Sequence, residues 1–506
     1  MRPMPRRLAL TLASSVFALP AAADITAEEV WADWQRLMAS LNAEMEVGDE
    51  SNSGGTVTLR DVSMTFAFPE GEGSAAALVE ELVFEERGDG TVEIKSSAEF
   101  PIAVSATDPD TDLPITFNMI FRQPGLVTIA SRDGATTRYG YVGPELGLSV
   151  DGLTVDGESI AMNVDVAASG LKGDYVLTEG TPREFESSTA MDGLTFNAKA
   201  TDPDDPGTTF DFEASLSEVS SQSEGTVTGL AAYGNMSAML SEGFRNEWTL
   251  AHGGAEYTLA GTDSSDRFNV RSSSETGTFE GALTPEGLVY GGSSTGLDMA
   301  ISGSQIPFPQ VTFSMAETEG RLAMPVAPGD EPTDFGVLVR MAGLEISEAI
   351  WGMVDPGGQL PRDPATLVVD IAGKGRWLLD IFDPDAMEEF APGVPGEIDS
   401  VTIGAINLSL AGAELTGDGA FEFDNSGEGP FAPAPSPSGR LDLSLVGGNA
   451  LLDTLVNMGL VPQDQAMGAR MMLGLFARPG DGPDSLVSSI EIGKDGSVSA
   501  NGQRIR

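Results

Sequence analysis

The chain has 506 residues, 77 of them acidic and 27 basic, for a net charge of −50. So negative a surface repels phosphate backbones and anionic headgroups, which argues against nucleic acid as a partner. With 41% apolar residues and no cysteine the composition is globular, free of disulfides and thiol chemistry, and a body this long buries enough apolar surface to need no cross-links.

The first residues read as a cleavable secretory leader. Arg2, Arg6 and Arg7 supply a positive start, Leu8 to Leu19 is apolar, and Pro20 precedes the small residues Ala21, Ala22 and Ala23. This order predicts cleavage between Ala23 and Asp24 and export to the periplasm. Removing residues 1–23 removes three arginines, leaving 24 basic residues against 77 acidic ones, a net charge near −53. The leader is shorter than the roughly 20 residues a membrane helix needs, and no later segment is apolar enough to span, so no transmembrane helix is expected. No cysteine stands beside the cleavage site, so a lipid-anchored form is not expected.

Thr26 with Glu29 forms a capping box that opens a helix, with Val30, Trp31, Trp34, Leu37, Met38, Leu41 and Met45 on one face. Its acidic polar face predicts a helix that packs on a sheet, since helices lying on anionic lipid favour lysine and arginine. From about 55 to 325 the pattern becomes alternation. Val57 and Leu59 are followed by Val62, Met64, Phe66 and Phe68, with a slip of phase near Asp61. Ile115 to Phe121, Ile160 to Val166, Leu194 to Ala200 and Phe210 to Leu216 alternate cleanly. Turn pairs such as Asp89-Gly90, Asp133-Gly134, Asp151-Gly152 and Asp156-Gly157 separate these runs, which predicts antiparallel sheet with one buried and one wet face. Ala106 to Asp110 and Ala200 to Asp204 share the sequence Ala-Thr-Asp-Pro-Asp ahead of a strand, as a duplicated meander would.

From about 331 the texture shifts, dividing the chain beyond the leader into 24–330 and 331–506. Val337 to Leu344 predicts a strand, and Ser347 caps a short helix through Ile350, Trp351 and Val354 that ends at Asp355-Pro356-Gly357-Gly358. Leu367 to Ile371 and Arg376 to Phe382 are apolar runs, residues 386–400 a loop, and Val401–Leu410 and Leu415–Phe423 strands. Residues 429–439, with Pro430, Pro433, Pro435 and Pro437, form a stiff loop. A strand at Leu441 to Val446 precedes two helical regions. One carries Leu451, Leu452, Leu455, Val456 and Leu460; the other carries Met467, Met471, Met472, Leu475 and Phe476. A hairpin ends the chain, Leu486–Ile492 and Val498–Ile505 about a turn at Lys494-Asp495-Gly496. The fold class expected is mainly β (α+β), with long curved antiparallel sheet and packing helices near both ends.

The chemistry is sparse. His252, the single histidine, sits in Ala251-His252-Gly253-Gly254 and reads as a loop residue between strands, with no Gly-x-Ser-x-Gly turn to partner it. No phosphate-binding or dinucleotide fingerprint occurs. The carboxylates Asp108, Asp110, Asp112, Asp202, Asp204 and Asp205 are candidate Ca²⁺ ligands, although the Leu113 and Met119 positions break an EF-hand loop; turn formation is the plainer role. Acidic pairs suited to a glycosidase are too numerous here to single any out. No catalytic residues and no cofactor are therefore expected. Twenty Met and 23 Phe suit either a core or a deformable apolar groove, and the core is the plainer expectation.

The segments Trp351–Leu367, Gly459–Met472 and Ser499–Gln503 are similar to exported alphaproteobacterial proteins grouped as domain of unknown function 2125, a likeness extending over most of the chain. That family has no established activity, so the resemblance implies an envelope location and assigns no residue. The ending at Asn501-Gly502 also resembles those of large β-groove envelope proteins implicated in lipid handling. The reading is a non-enzymatic periplasmic protein that binds or scaffolds an envelope lipid or envelope protein. A lipid- or lipoprotein-handling groove is one alternative. An outer-membrane barrel is the other, although 6 Tyr and 5 Trp are few for its aromatic girdles.

Overall fold

A computed structural model describes residues 24–506 apart from 41–42, 69–72, 109–110, 228–235, 384–385, 387–394 and 433. The expected leader with Ala23, and also Leu41, Asp110 and Pro433, lie outside the described residues.

The capping box forms as its spacing requires. The Thr26 N–H donates to Glu29 Oε2 at 3.0 Å, and the Glu29 N–H donates to Thr26 Oγ1 at 3.2 Å. Caps of this kind stabilise a helix by about 1 kcal/mol. The helix α1 spans Ala27–Ser40. It does not reach Met45 as expected, because Met45 and Val47 already alternate with Glu44 and Glu46 in the strand Ala43–Ser53. Met45 still packs against the same core, now from the sheet. Val30 and Trp31 are buried on Val57, Leu59, Val62 and Phe84, and Trp34 meets Phe84 edge-on at 5.4 Å. The half-wet side of α1 is tied down by Asp33, whose carboxylate accepts from both Arg36 and Arg132.

All 26 strand segments of the described residues belong to one antiparallel sheet. Pairing follows chain order, each long strand turning back on the one before. Thr136–Val155, Glu158–Thr178, Arg183–Thr201 and Thr209–Val227 pair along almost their whole length. Several shorter segments are halves of one strand: Asn246–His252 and Ala255–Thr262 both pair with Thr209–Val227. The sheet also runs through the texture change near 330, where Val311–Met324 pairs with Thr333–Ile346. Among the described residues no pairing joins the first strand to the last, so the meander is open. The two Ala-Thr-Asp-Pro-Asp echoes start at strand ends, Ala106-Thr107 closing Glu99–Thr107 and Ala200-Thr201 closing Arg183–Thr201.

One irregularity repeats across the sheet and governs which residues face inward. In strand after strand the pairing skips one position and resumes in the same register. Gly143 faces Leu171 and Glu145 faces Ser169, Met191 faces Val219 and Gly193 faces Ser217, and Thr295 faces Glu317 and Leu297 faces Met315. At the skipped positions Asp61, Gly170, Glu218, Gly296 and Gly343 have φ between +51° and +69°. A left-handed residue shifts the alternation of side chains by one. Accordingly Ile160, Met162, Val164, Val166 and Ala168 give way to Leu171, Tyr175 and Leu177 across Gly170. Leu288 and Tyr290 likewise give way to Leu297, Met299 and Ile301 across Gly296. Both phases stay on one face, since Val57, Leu59 and Val62 share a core across Asp61.

The structure departs from expectation in three further places. The strand Gly396–Leu410 begins inside the expected loop. The closing strand folds back a second time, because Asn501 (φ 51°) and Gly502 (φ 80°) make a tight turn between Val498–Ala500 and Gln503–Arg504. A short helix α2, Met236–Ser241, was not foreseen; its Met239 and Leu240 are buried with Phe244 and Val326. The remaining helices match the spacing: α3 Glu348–Val354, α4 Gly448–Asn457 and α5 Gln463–Phe476.

A Cβ placed on Gly296 would lie 2.6 Å from Glu275 Cγ in a left-handed backbone, whereas one on Gly320 meets nothing within 4 Å. Gly296→Ala is therefore expected to destabilise the fold by about 1–3 kcal/mol. Gly320→Ala should stay within about 0.5–1 kcal/mol of the parent. Urea denaturation followed by circular dichroism checks both, and equal midpoints for the two variants would contradict the left-handed step.

Candidate functional site

The register sorts the second half of the sheet into two faces of opposite chemistry. Tyr290, Leu322, Val337, Ile371, Ile403, Gly419, Leu441 and Ile490 stand directly opposite one another in successive strands. A parallel row runs through Met341, Leu367, Leu408, Leu415, Leu445 and Leu486. Shifted by one residue, the opposite face carries Ala372, Thr402, Ala420, Arg440 and Glu491. It is laced with ion pairs, including Arg321–Glu280 at 2.8 Å, Lys374–Asp334 at 3.1 Å and Arg440–Asp442 at 2.8 Å. Exposed pairs of this kind contribute about 0–1 kcal/mol each, so they identify the wet face rather than hold the sheet together.

The apolar face is not filled. At the N-terminal end α1 covers it, and α2 covers Leu283 and Leu288. Beyond that, Tyr290 remains 56% exposed, Leu322 40%, Val337 41% and Leu408 44%. Single exposed apolar residues are ordinary in soluble proteins, but neighbouring rows of them mark a surface meant to be covered.

Glycines set the relief of this face. Trp248 lies opposite Gly281, Phe268 opposite Gly261, Phe279 opposite Gly292 and Phe335 opposite Gly373. A Cβ on Gly281 would fall 2.5 Å from the Trp248 ring, one on Gly261 2.4 Å from Phe268, and one on Gly373 2.5 Å from Phe335. Each ring therefore reclines along the next strand instead of standing up from the sheet. His252 follows the same rule. It ends the strand Asn246–His252 rather than sitting in a loop, is buried at 7% exposure, and lies over Gly277 beside Phe279. Its Nδ1 has no hydrogen-bond partner. Its place among recumbent rings makes it part of the apolar floor.

Of the carboxylates considered for Ca²⁺, those of Asp108, Asp202 and Asp205 accept hydrogen bonds within turns. Asp108 Oδ1 accepts the Thr111 N–H at 2.9 Å, and Asp112 takes a left-handed backbone. Asp202 Oδ1 accepts the Asp204 N–H at 2.8 Å and the Asp205 N–H at 3.3 Å, while Asp205 accepts from Gly207 and Thr208. Among the described residues no three His, Asp or Glu side chains gather to hold a metal ion. No helix of the described residues is long and apolar enough to cross a membrane.

The C-terminal methionines were expected to fill core, and the structure corrects that. Met467, Met471, Met472 and Leu475 of α5 are all more than half exposed. The helix is instead fixed by its end: the Phe476 carbonyl accepts from Ser488 Oγ at 2.7 Å and Asn501 Nδ2 at 2.9 Å. Asp355 in the Trp351–Leu367 segment is equally structural. It is fully buried, and its carboxylate accepts the Gln359 and Leu360 N–H groups at 2.9 and 2.8 Å. Those two donors hold its carboxyl below the ordinary carboxylate range. Asp355 and Asn501, each within a segment that carries the resemblance, are thus joints of the fold.

Gly277→Ala would place a Cβ 2.2 Å from His252 Nε2, so it is expected to cost about 1–3 kcal/mol. In a His252→Ala background the same change should cost less by at least about 1 kcal/mol, because the clashing ring is gone. A double-mutant cycle in urea measures this coupling, and additive costs would refute the reclining arrangement.

No curated protein and no solved structure matches the chain. A family model does match, over residues 246–504, a span narrower than the sequence likeness suggested and one that holds all of the open apolar face from Tyr290 onward. The chain belongs to that family, described as an uncharacterized protein conserved in bacteria, DUF2125.

Proposed function

We propose that this is a non-enzymatic protein of the bacterial periplasm whose open apolar sheet face holds the acyl chains of an envelope lipid. The observation that carries the reading is the set of aligned apolar rows from Tyr290 to Ile490, in which Tyr290, Leu322, Val337, Val339 and Leu408 stay exposed among the described residues. Lipid chains are the apolar molecules abundant in an envelope, and they match a long surface without polar anchors. The leader at Arg2–Ala23 supports delivery to the periplasm. The ladder of Arg, Lys, Asp and Glu on the reverse face suits a body bathed in water on that side. An outer-membrane barrel needs its terminal strands to pair with each other. Here Ala43–Ser53 pairs with Thr56–Ala67, and Gln503–Arg504 with Val498–Ala500, which favours the groove.

A second reading, a scaffold for an envelope protein, is favoured by the exposed methionines of α5, since flexible thioethers suit protein contacts.

Lipid extraction of the purified native protein tests the first reading. Phospholipid should co-purify with the parent and with Thr402→Glu, which adds a charge on the reverse face. It should fall by about tenfold or more in the double variant Val339→Glu, Leu408→Glu, because a carboxylate there opposes an acyl chain. Lipid-free parent protein that also fails to take up added phospholipid would leave the scaffold.

A further inference from the structure

The apolar face is not uniform. At one end of it lies a cavity of about 340 Å³ whose walls are Leu322, Met324, Phe335, Val337, Trp377 and Ile398. Two features make this hollow a constructed one. Phe335 reclines over Gly373 and Gly375, and Trp377 reclines over Gly396 on the next strand. Side chains at Gly375 and Gly396 would fill the space between the rings. The Trp377 ring is also fixed, because its indole N–H donates to the Pro325 carbonyl at 2.7 Å. The main chain adds a second tie, the Gly329 N–H donating to the Trp377 carbonyl at 3.2 Å. A wall held this way keeps its shape when the cavity is empty, which lowers the ordering cost of binding.

The chemistry of the walls limits what fits. The nearest charged groups, Arg376 and Glu397, are closed on each other, with Arg376 Nε donating to Glu397 Oε2 at 3.0 Å. Among the apolar walls the one N–H donor, the Trp377 indole, is already given to the Pro325 carbonyl. The volume lies within the range of small-ligand sites, about 300–1,000 Å³. A chain carrying −50 charges further disfavours an anionic headgroup at the mouth.

The geometry points to a defined seat for one hydrocarbon chain of a zwitterionic phospholipid between Phe335 and Trp377, with the headgroup outside. This rests on the acyl-chain reading above and adds to it a location and a headgroup class. The remainder of the apolar face, including Leu408 and Leu443, is then secondary contact surface.

The test uses the full protein and a monomeric phosphatidylcholine brominated on its acyl chain, a short-range quencher of tryptophan. Binding should quench the intrinsic fluorescence, and Trp377→Phe should remove at least half of the quenched signal. By calorimetry, Leu322→Trp, which fills the cavity, should raise Kd at least tenfold and at least threefold more than Leu408→Trp elsewhere on the same face, while Thr402→Trp on the reverse face should change it less than twofold. Val337→Phe is a second filler, and thermal midpoints within a few degrees of the parent establish folding. The matching phosphatidylglycerol should bind at least fivefold more weakly, and equal affinity overturns the headgroup assignment. If lipid binds but Leu322→Trp and Leu408→Trp weaken it alike and Trp377→Phe retains the quenching, the seat is wrong while the acyl reading stands. If no variant and no parent protein binds either lipid, the acyl reading itself fails.

Discussion

A strand can keep all its apolar side chains on one face only while its alternation stays in phase. The long strands of this protein, near twenty residues in several cases, change phase once. The left-handed step at Asp61, Gly170, Glu218, Gly296 or Gly343 absorbs that change, so residues on both sides still point the same way. Because the steps align from strand to strand, the whole meander acquires a single apolar face and a single charged one. The core under α1, the recumbent rings and the open groove all follow from that alignment.

What the chain does with the apolar face differs along its length. Near the N-terminus α1 lays Val30, Trp31 and Trp34 on it and makes a closed core with Phe84 and Val62. Tyr139 sits at the edge of that core, its hydroxyl pushed up to about 12, first by burial and then by the Asp33 carboxylate. Further along, Tyr290, Leu322, Val337, Val339 and Leu408 of the central rows stay exposed among the described residues. Burying a half-exposed leucine or valine gains about 1 kcal/mol, so a sheet that leaves row upon row uncovered forgoes stability it could have had. A face that binds something intermittently is arranged in this way.

Much of the fold was legible in the residues. Thr26 and Glu29 announced the first helix, clean alternation at Ile160–Val166 and Phe210–Leu216 announced antiparallel strands, and Ser347 with Asp355 bracketed a short helix. The slip at Asp61 was visible too, but one slip reads as a local defect. Its recurrence at Glu218 and Gly343 becomes a rule only when the register shows the same skipped pairing in strand after strand. The second turn at Asn501-Gly502 was missed because two-residue strands have no periodicity to read. The site was less legible, for a physical reason. Whether Leu322 or Met471 is covered depends on what lies above it in three dimensions, and one face pattern serves a filled core and an open groove equally well. His252 was placed in a loop because two glycines follow it. The glycine that matters, Gly277, is a strand away.

The central claim is that the apolar rows are open to a ligand while the reverse face is open to water. Since the chain has no cysteine, a nitroxide can be attached at one introduced thiol, at Val339 or at Thr402, without competing labels. Collision rates with oxygen and with a water-soluble nickel chelate then report the surroundings. On adding phosphatidylcholine, the Val339 probe should gain oxygen collisions and lose nickel collisions, while the Thr402 probe should change in neither. Lipid-independent rates at Val339, or the same change at both positions, would contradict the two-faced sheet described here.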